Sequence, residues 1–251
     1  MLRVMTFNLN YYGTKRGPWP VRKELIRETI QSADADIIAL QAVCRDPARE
    51  HGLDQASQLA DLLPEYRHVV FVPAMDFPDG SEGGSGILSR LRIGESDHLE
   101  LSLLPRLEDT NQRVLMHARF DLPTGPLHLF NAHFSWVAEQ ARLNTGETIP
   151  FINFFRGPAV LVGDLNTPSD SDFLQRFSQA GWSDVWAELH PEEQGMTFES
   201  NDPSLRIDYA WVNQELKPHV QEIKIVADIQ HESGARPSDH LGLLVTLDLE
   251  V

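Results

Sequence analysis

Three short segments of this chain are apolar at consecutive positions instead of alternate ones: DIIALQAV (Asp36–Val43), AVLVG (Ala159–Gly163) and HLGLLVTL (His240–Leu247). They are too short to span a membrane, and a strand that is apolar on both faces has to be covered on both sides. Strands are further expected at Leu2–Leu9, Tyr66–Val72, Ser85–Ser89, Glu95–Leu101, Val114–Leu122, Leu127–His133, Ile207–Val212 and Val220–Val226, the last of the three apolar runs continuing as a strand over Leu243–Leu249. Helical periodicity runs through Pro20–Ala33, with Val21, Leu25, Ile26 and Ile30 on one stripe and Pro20 suited to a first turn. A second helix starts at the cap residue Asp54 and is stopped by Pro64. A third covers much of Ala138–Phe155, with Gly146 and Pro150 expected to interrupt it, and a short one covers Ser171–Gln179. Some strands are thus joined by turns and others by helices, which argues against a parallel barrel. Two packed sheets with helices outside satisfy both facts: an α/β four-layer αββα sandwich, expected as one domain over residues 1–251.

The bulk numbers narrow the setting. With 41% hydrophobic and 23% charged residues the composition is globular. The single cysteine, Cys44, forms no internal disulfide and no zinc pair, which fits a reducing compartment. The start, MLRVMTFNLN, is neither a signal peptide nor a span, so a cytoplasmic protein without a membrane anchor is expected, a monomer by default. Acidic residues outnumber basic ones 37 to 21, a formal net charge of −16. Strong affinity for a nucleic-acid backbone normally shows as the opposite excess, so a smaller substrate is favoured.

The informative residues are polar groups placed where strands end. Asn8 closes RVMTFN, Asn131 and His133 lie in LFNAHF, Asp164 and Asn166 follow AVLVG, Asp208 sits inside RIDYAWV, and Asp239 and His240 precede the last strand. Singly, most have ordinary explanations. Asn8, Asn166 and Asp164 suit turns, His133 suits a satisfied core histidine, and Asp239–His240 suits a strand cap. Asp208, between Ile207 and Tyr209, needs a buried partner. Together, the ordinary explanations compete poorly. Converging on one sheet edge, these side chains supply hard oxygen ligands for Mg²⁺ or Mn²⁺, an Asp–His pair for proton handling, and amides for a phosphoryl oxygen.

In the order TFNLN, DIIALQAV, GGSGILSR, LFNAHF, VLVGDLNTP, RIDYAWV and PSDHLGLLVTLDL, the chain resembles the endonuclease/exonuclease/phosphatase superfamily over essentially its whole length. GDLN, RIDY and SDH in this order carry the resemblance; TFNLN or SDH alone would not. The resemblance implies the αββα sandwich and in-line attack of water on phosphorus, assisted by a metal ion. It implies that Asp164 activates the water and that Asn166 holds a phosphoryl oxygen. It implies that His240 contacts the phosphate and Asp208 orients it. It implies that Asn8, Asp239 and Asp164 approach the metal, and that His133 acts as general acid or phosphate contact with Asn131 beside the substrate.

One departure matters most. The family's second motif usually reads Leu-Gln-Glu, its glutamate the principal metal ligand, whereas this chain has Leu40-Gln41-Ala42. Three explanations compete: an introduced inactivating change, compensation by Gln41, Asp46, Glu82 or water, and a protein that binds a phosphate compound without cleaving it. A smaller departure is Ser85–Gly86, where relatives often carry Gly-Asn. The leading expectation is a hydrolase of a small phosphodiester or phosphomonoester. Its alternatives are a nuclease, for which only Arg45, Arg49, Arg90, Arg113, Arg142 and Arg156 offer scattered charge, and a non-catalytic binding module. Trp19 and Trp136 are the candidates for contact with a membrane. Substrate choice is expected to reside in Tyr11–Trp19, Met75–Gly84, Trp136–Gly146 and Glu192–Ser204.

Overall fold

The computed structural model describes all 251 residues, and its strands alternate along one rule. In β1 (Leu2–Asn8), β2 (Ile37–Arg45), β7 (Gly125–His133), β8 (Ala159–Asp164) and β10 (Asp208–Asn213), every second side chain points into a space between two sheets. The first sheet also contains β3 (His68–Asp76), β4 (Glu82–Ser89), β11 (Val220–Val226) and β12 (Gly242–Leu247), in the order β11-β12-β1-β2-β4-β3. The second adds β5 (Ile93–Leu101), β6 (Arg113–Leu122) and β9 (Trp182–Asp184), in the order β5-β6-β7-β8-β10-β9. Only β1 with β2 and β7 with β8 pair in parallel; their neighbours are antiparallel.

Three apolar clusters fill the three spaces between four layers. Val4, Ile37, Ala39, Leu129, Val160, Val162, Ala210 and Val245 lie between the sheets. Phe7, Ile38 and Leu40 face outward onto Ile26 and Ile30 of α1 (Trp19–Ala33) and Leu59 of α2 (Gln55–Leu62). Phe130, Leu161 and Trp211 face outward onto Ile152 of α3 (Ala138–Phe154) and Phe177 of α4 (Gln175–Gln179). This is the αββα sandwich, and it explains the consecutive apolar runs, because each central strand buries one face on the other sheet and one on helices. Each buried Val, Leu or Ile contributes roughly 1.5–3 kcal/mol relative to exposure.

Local signals behave as their chemistry requires. Pro20 sits at the start of α1 and Asp54 caps α2 by accepting from the Ser57 N–H at 2.9 Å. The third helix departs from expectation, since α3 runs unbroken through Gly146 and Pro150. Proline at 150 removes the single hydrogen bond that would reach Gly146, and the buried Ala141, Asn144, Thr145 and Ile152 hold the flanking turns. The helix expected at Ser171–Gln179 is confined to Gln175–Gln179, and β9 and the one-turn α5 (Val185–Leu189) follow it without a strong periodic signal. No helix is long and apolar enough to cross a membrane.

Candidate active site

The inward faces of the central strands are apolar along most of their length and become polar at one end. Thr6 and Asn8 of β1, Gln41 of β2, Asn131 and His133 of β7, and Asp164 of β8 follow Val4, Ala39, Leu129 and Val162 at the same two-residue spacing. Because β1 and β2 are parallel, as are β7 and β8, these carboxyl ends share one edge. The antiparallel β10 begins at the same edge, where Asp208 pairs with Asp164. The result is a cleft of about 540 Å³ lined by Asn8, Ala42, His133, Asp164, Asn166, Asp239 and His240, among others.

Asp164 is its hub. The Asn8 amide donates to its Oδ2 at 2.8 Å and the Asn166 backbone N–H donates to its Oδ1 at 2.8 Å. His133 Nε2 and His240 Nε2 lie 3.5 and 3.7 Å from Oδ2. The strand can place the carboxylate here because Gly163, at φ 141°, lies against Ala132, where a Cβ would come within 1.9 Å of the carbonyl oxygen. Burial raises the Asp164 pKa above the usual carboxylate range; the charge on His240 pulls against this and Asp208 adds to it.

His240 is fixed from behind by Asp208, its Nδ1 3.0 Å from Oδ2. Burial disfavours the charged imidazole, but the Asp208 and Asp164 carboxylates and the Asp208 hydrogen bond outweigh it and raise the His240 pKa well above its ordinary value. A protonated His240 therefore donates to Asp208 from Nδ1 and presents Nε2–H beside Asp164. His133 is the opposite case. Burial, Arg113 and His240 depress its pKa, and Arg113 Nη1 donates to Nε2 at 2.9 Å. A neutral His133 whose Nε2 accepts from Arg113 has no proton at that atom to deliver to a leaving group or to donate to a phosphoryl oxygen.

Not every expected residue reaches the cleft. Asn131, expected beside the substrate, is fully buried between the sheets. Its amide donates to Leu40 O and Gly86 O at 2.9 and 3.1 Å, and its oxygen accepts from Gln41 at 2.7 Å. Asp208 stands behind His240 and does not line the cleft. Trp19 is core, its indole donating to Gln58 at 2.7 Å, whereas Trp136 is half exposed at the cleft mouth.

Other contributors were less legible. Arg113, noted in the sequence only as scattered charge, is the one basic side chain besides histidine in the cleft lining, and it is buried against Asp109 at 3.0 Å. Arg22 of α1 is fully buried and donates to the carbonyls of Leu9, Tyr11, Gly13 and Pro237. It thereby ties the loop after Asn8 to the segment that carries Asp239. A lone Arg among the apolar residues of an amphipathic helix was the only available signal.

Ligand atoms of Asp164, Asp208 and His240 all lie within 4.8 Å of one another, so this buried cluster could hold a metal ion. Asn8 and Asp239 add oxygens on the cleft wall, in keeping with a hard divalent cation. At the expected glutamate position a β-bulge between Leu40 and Val43 turns Ala42 into the cleft with φ 50°, where it offers only a methyl group. None of the three candidate side chains lines the cleft. Gln41 lies between the sheets, Asp46 pairs with Arg49 at 2.8 Å, and Glu82 pairs with Arg45. Ser85 is buried outside the cleft, and Gly86 provides the carbonyl that holds Asn131.

Residues 5–240 match the Endonuclease/Exonuclease/phosphatase family. The chain belongs to this family. Among solved structures, an endonuclease/exonuclease/phosphatase from Bacteroides vulgatus is 23% identical with a TM-score of 0.78, the match covering 99% of each chain. A mannosyl-6-phosphatase from Bacteroides thetaiotaomicron VPI-5482 is 21% identical with a TM-score of 0.77, covering 98% of this chain and 99% of that one. A truncated Caenorhabditis elegans TDP2 is 17% identical with a TM-score of 0.72, covering 98% of this chain and 96% of that one. At these identities the likeness concerns the fold. A comparison with curated proteins finds no match.

Proposed function

We propose that this chain hydrolyses phosphoester bonds of small phosphorylated molecules by in-line attack of water, with Mg²⁺ or Mn²⁺ as cofactor. The observation that carries this reading is the convergence of the Asp164 carboxylate, the Asp208-anchored His240 imidazole and the Asn8 and Asn166 amides on one cleft. Asp164 takes a proton from the attacking water, which it can do only while ionised. The Nε2–H of His240 then faces negative charge as it builds on the phosphoryl oxygens. Asn166 steadies a phosphoryl oxygen, and His133, held by Arg113, lines the same wall. A divalent cation, held by Asp164, Asn8 and Asp239, would neutralise charge on those oxygens.

The charge arrangement favours small substrates over nucleic acid. Five of the six scattered arginines are already paired: Arg45 with Glu82, Arg49 with Asp46, Arg90 with Asp34, Arg113 with Asp109 and Arg142 with Asp172. A second reading, phosphate binding without turnover, is favoured by Ala42 alone. A panel of phosphomonoesters and phosphodiesters with Mg²⁺ and Mn²⁺ tests both. Turnover is expected, with kcat falling about 10³-fold or more in Asp164→Asn. Binding without turnover, even in Ala42→Glu, would sink the hydrolase reading.

A further inference from the structure

A second cleft, of about 470 Å³, adjoins the first, and Pro168 and Leu205 line both. Leu205 stands partly exposed between them. The second cleft lies beyond the Asn166 side of the site, walled by the loop after β8, by α5 and by the segment leading into β10. Its polar lining includes Asp170, His190, Glu193, Gln194, Ser204 and Arg206. Arg206 is some nine-tenths buried at its side chain and paired with Asp184 at 2.9 Å, yet its Nε–H is buried without a partner. Asp170 and Glu193 are exposed and neither is paired with lysine or arginine; the only basic neighbour of Glu193 is His190, at 3.8 Å.

We infer that this second cleft is a subsite for the alcohol portion of the substrate, and that this portion is an uncharged, hydroxyl-rich carbohydrate long enough to pass Leu205. The inference rests on the phosphoester reading of the first cleft. Free carboxylates accept hydrogen bonds from hydroxyl groups, the Gln194 amide both donates and accepts, and the Ser204 hydroxyl donates to hydroxyl or ring oxygens. A nucleic-acid strand running into the same space would bring its next phosphate toward Asp170 and Glu193, whose charge repels it. An apolar tail would bury these polar groups without partners. The first cleft alone exceeds what a phosphate needs, so a ligand filling both is larger than a single phosphorylated hexose.

The test is a ladder of methyl phosphate, glucose 6-phosphate and trehalose 6-phosphate, with a phosphorylated dithymidine as the polyanionic control. Specificity, kcat/KM, is expected to rise at least ten-fold from methyl phosphate to trehalose 6-phosphate. That ratio is expected to fall about ten-fold in Asp170→Ala and in Gln194→Ala. A ratio near one in the unaltered protein, a ratio unmoved by both substitutions, or preference for the dinucleotide overturns the subsite while leaving the hydrolase reading intact. If no compound turns over, calorimetry with the same ladder decides the subsite. Tighter binding of trehalose 6-phosphate than of methyl phosphate, lost in Asp170→Ala and Gln194→Ala, upholds it, and equal affinity ends it.

Discussion

At position 42 the chain turns left-handed, and the bulge that does so aims the side chain into the cleft beside Asn8 and His240. Alanine there brings only a methyl group to the cleft wall. Ala42→Glu restores a carboxylate at no new backbone cost, since the φ strain is already present with alanine. It is expected to tighten Mg²⁺ binding by more than ten-fold in calorimetry, and an unchanged affinity would show that position 42 does not face the metal. The pH profile belongs to the same scale. The Asp164 pKa is raised, so its basic form is lost as pH falls through a value above the usual carboxylate range. In the metal-free protein the Asp164 carboxyl should therefore titrate well above pH 4 when followed by NMR, and an ordinary carboxylate value would show that burial does not govern it. Of the site residues, Asp164, Asn166, Asp208 and His240 were legible because polar side chains interrupt apolar strands only where something repays burial. The neutral state of His133 was not, because it depends on burial and on Arg113, twenty positions away in sequence.

At the scale of elements, α1 does more than cover a sheet. Arg22 reaches from its buried face to carbonyls on both sides of the cleft rim. Arg22→Met preserves helix and bulk but strips those carbonyls of their donor, at roughly 2–4 kcal/mol. Urea denaturation should show that loss together with reduced turnover; a loss of stability with full activity would mean the tether does not position the site. The pairing of β6 with β7 carries a different group. His117 Nε2 lies 2.9 Å from His128 Nδ1, and the His117 ring packs on Phe130 and Phe155. Burial, with the charge of His128, lowers the His117 pKa to about 4. The unfolded chain binds the proton first, so this contribution to stability is whole above about pH 6.5 and is lost as pH falls toward 4. His117→Phe keeps the ring contacts and should flatten the stability profile over that window, by on the order of 2 kcal/mol between its ends. Denaturation midpoints at pH 7 and 4.5 measure it, and an unchanged slope would assign the acid sensitivity elsewhere.

For the whole molecule, both sheets share one inter-sheet core and neither has its inner face covered without the other. We expect residues 1–251 to unfold as one domain, with far-ultraviolet dichroism and tryptophan fluorescence falling together in urea. Two separated transitions would divide the chain. The net charge of −16 acts at the same scale, as a field that repels polyanions on approach. Efficient plasmid cleavage at low salt is therefore not expected, and its observation would put the nuclease alternative ahead of the small-substrate reading.

GDLN, RIDY and SDH were enough, with the two-faced apolar strands, to determine the architecture and the edge at which the chemistry gathers, because strand periodicity and the cost of burying polar groups are local and additive. Which side chains meet there was decided by tertiary structure. Parallel pairing of β1 with β2 and of β7 with β8 brought Asn8, His133 and Asp164 to one edge, while the inter-sheet amide network withdrew Asn131 from it. That none of Gln41, Asp46 and Glu82 reaches the cleft was likewise decided by packing, since Gln41 is held between the sheets and the two carboxylates pair with Arg49 and Arg45. A sequence records which groups must be satisfied, and only the folded chain determines by what.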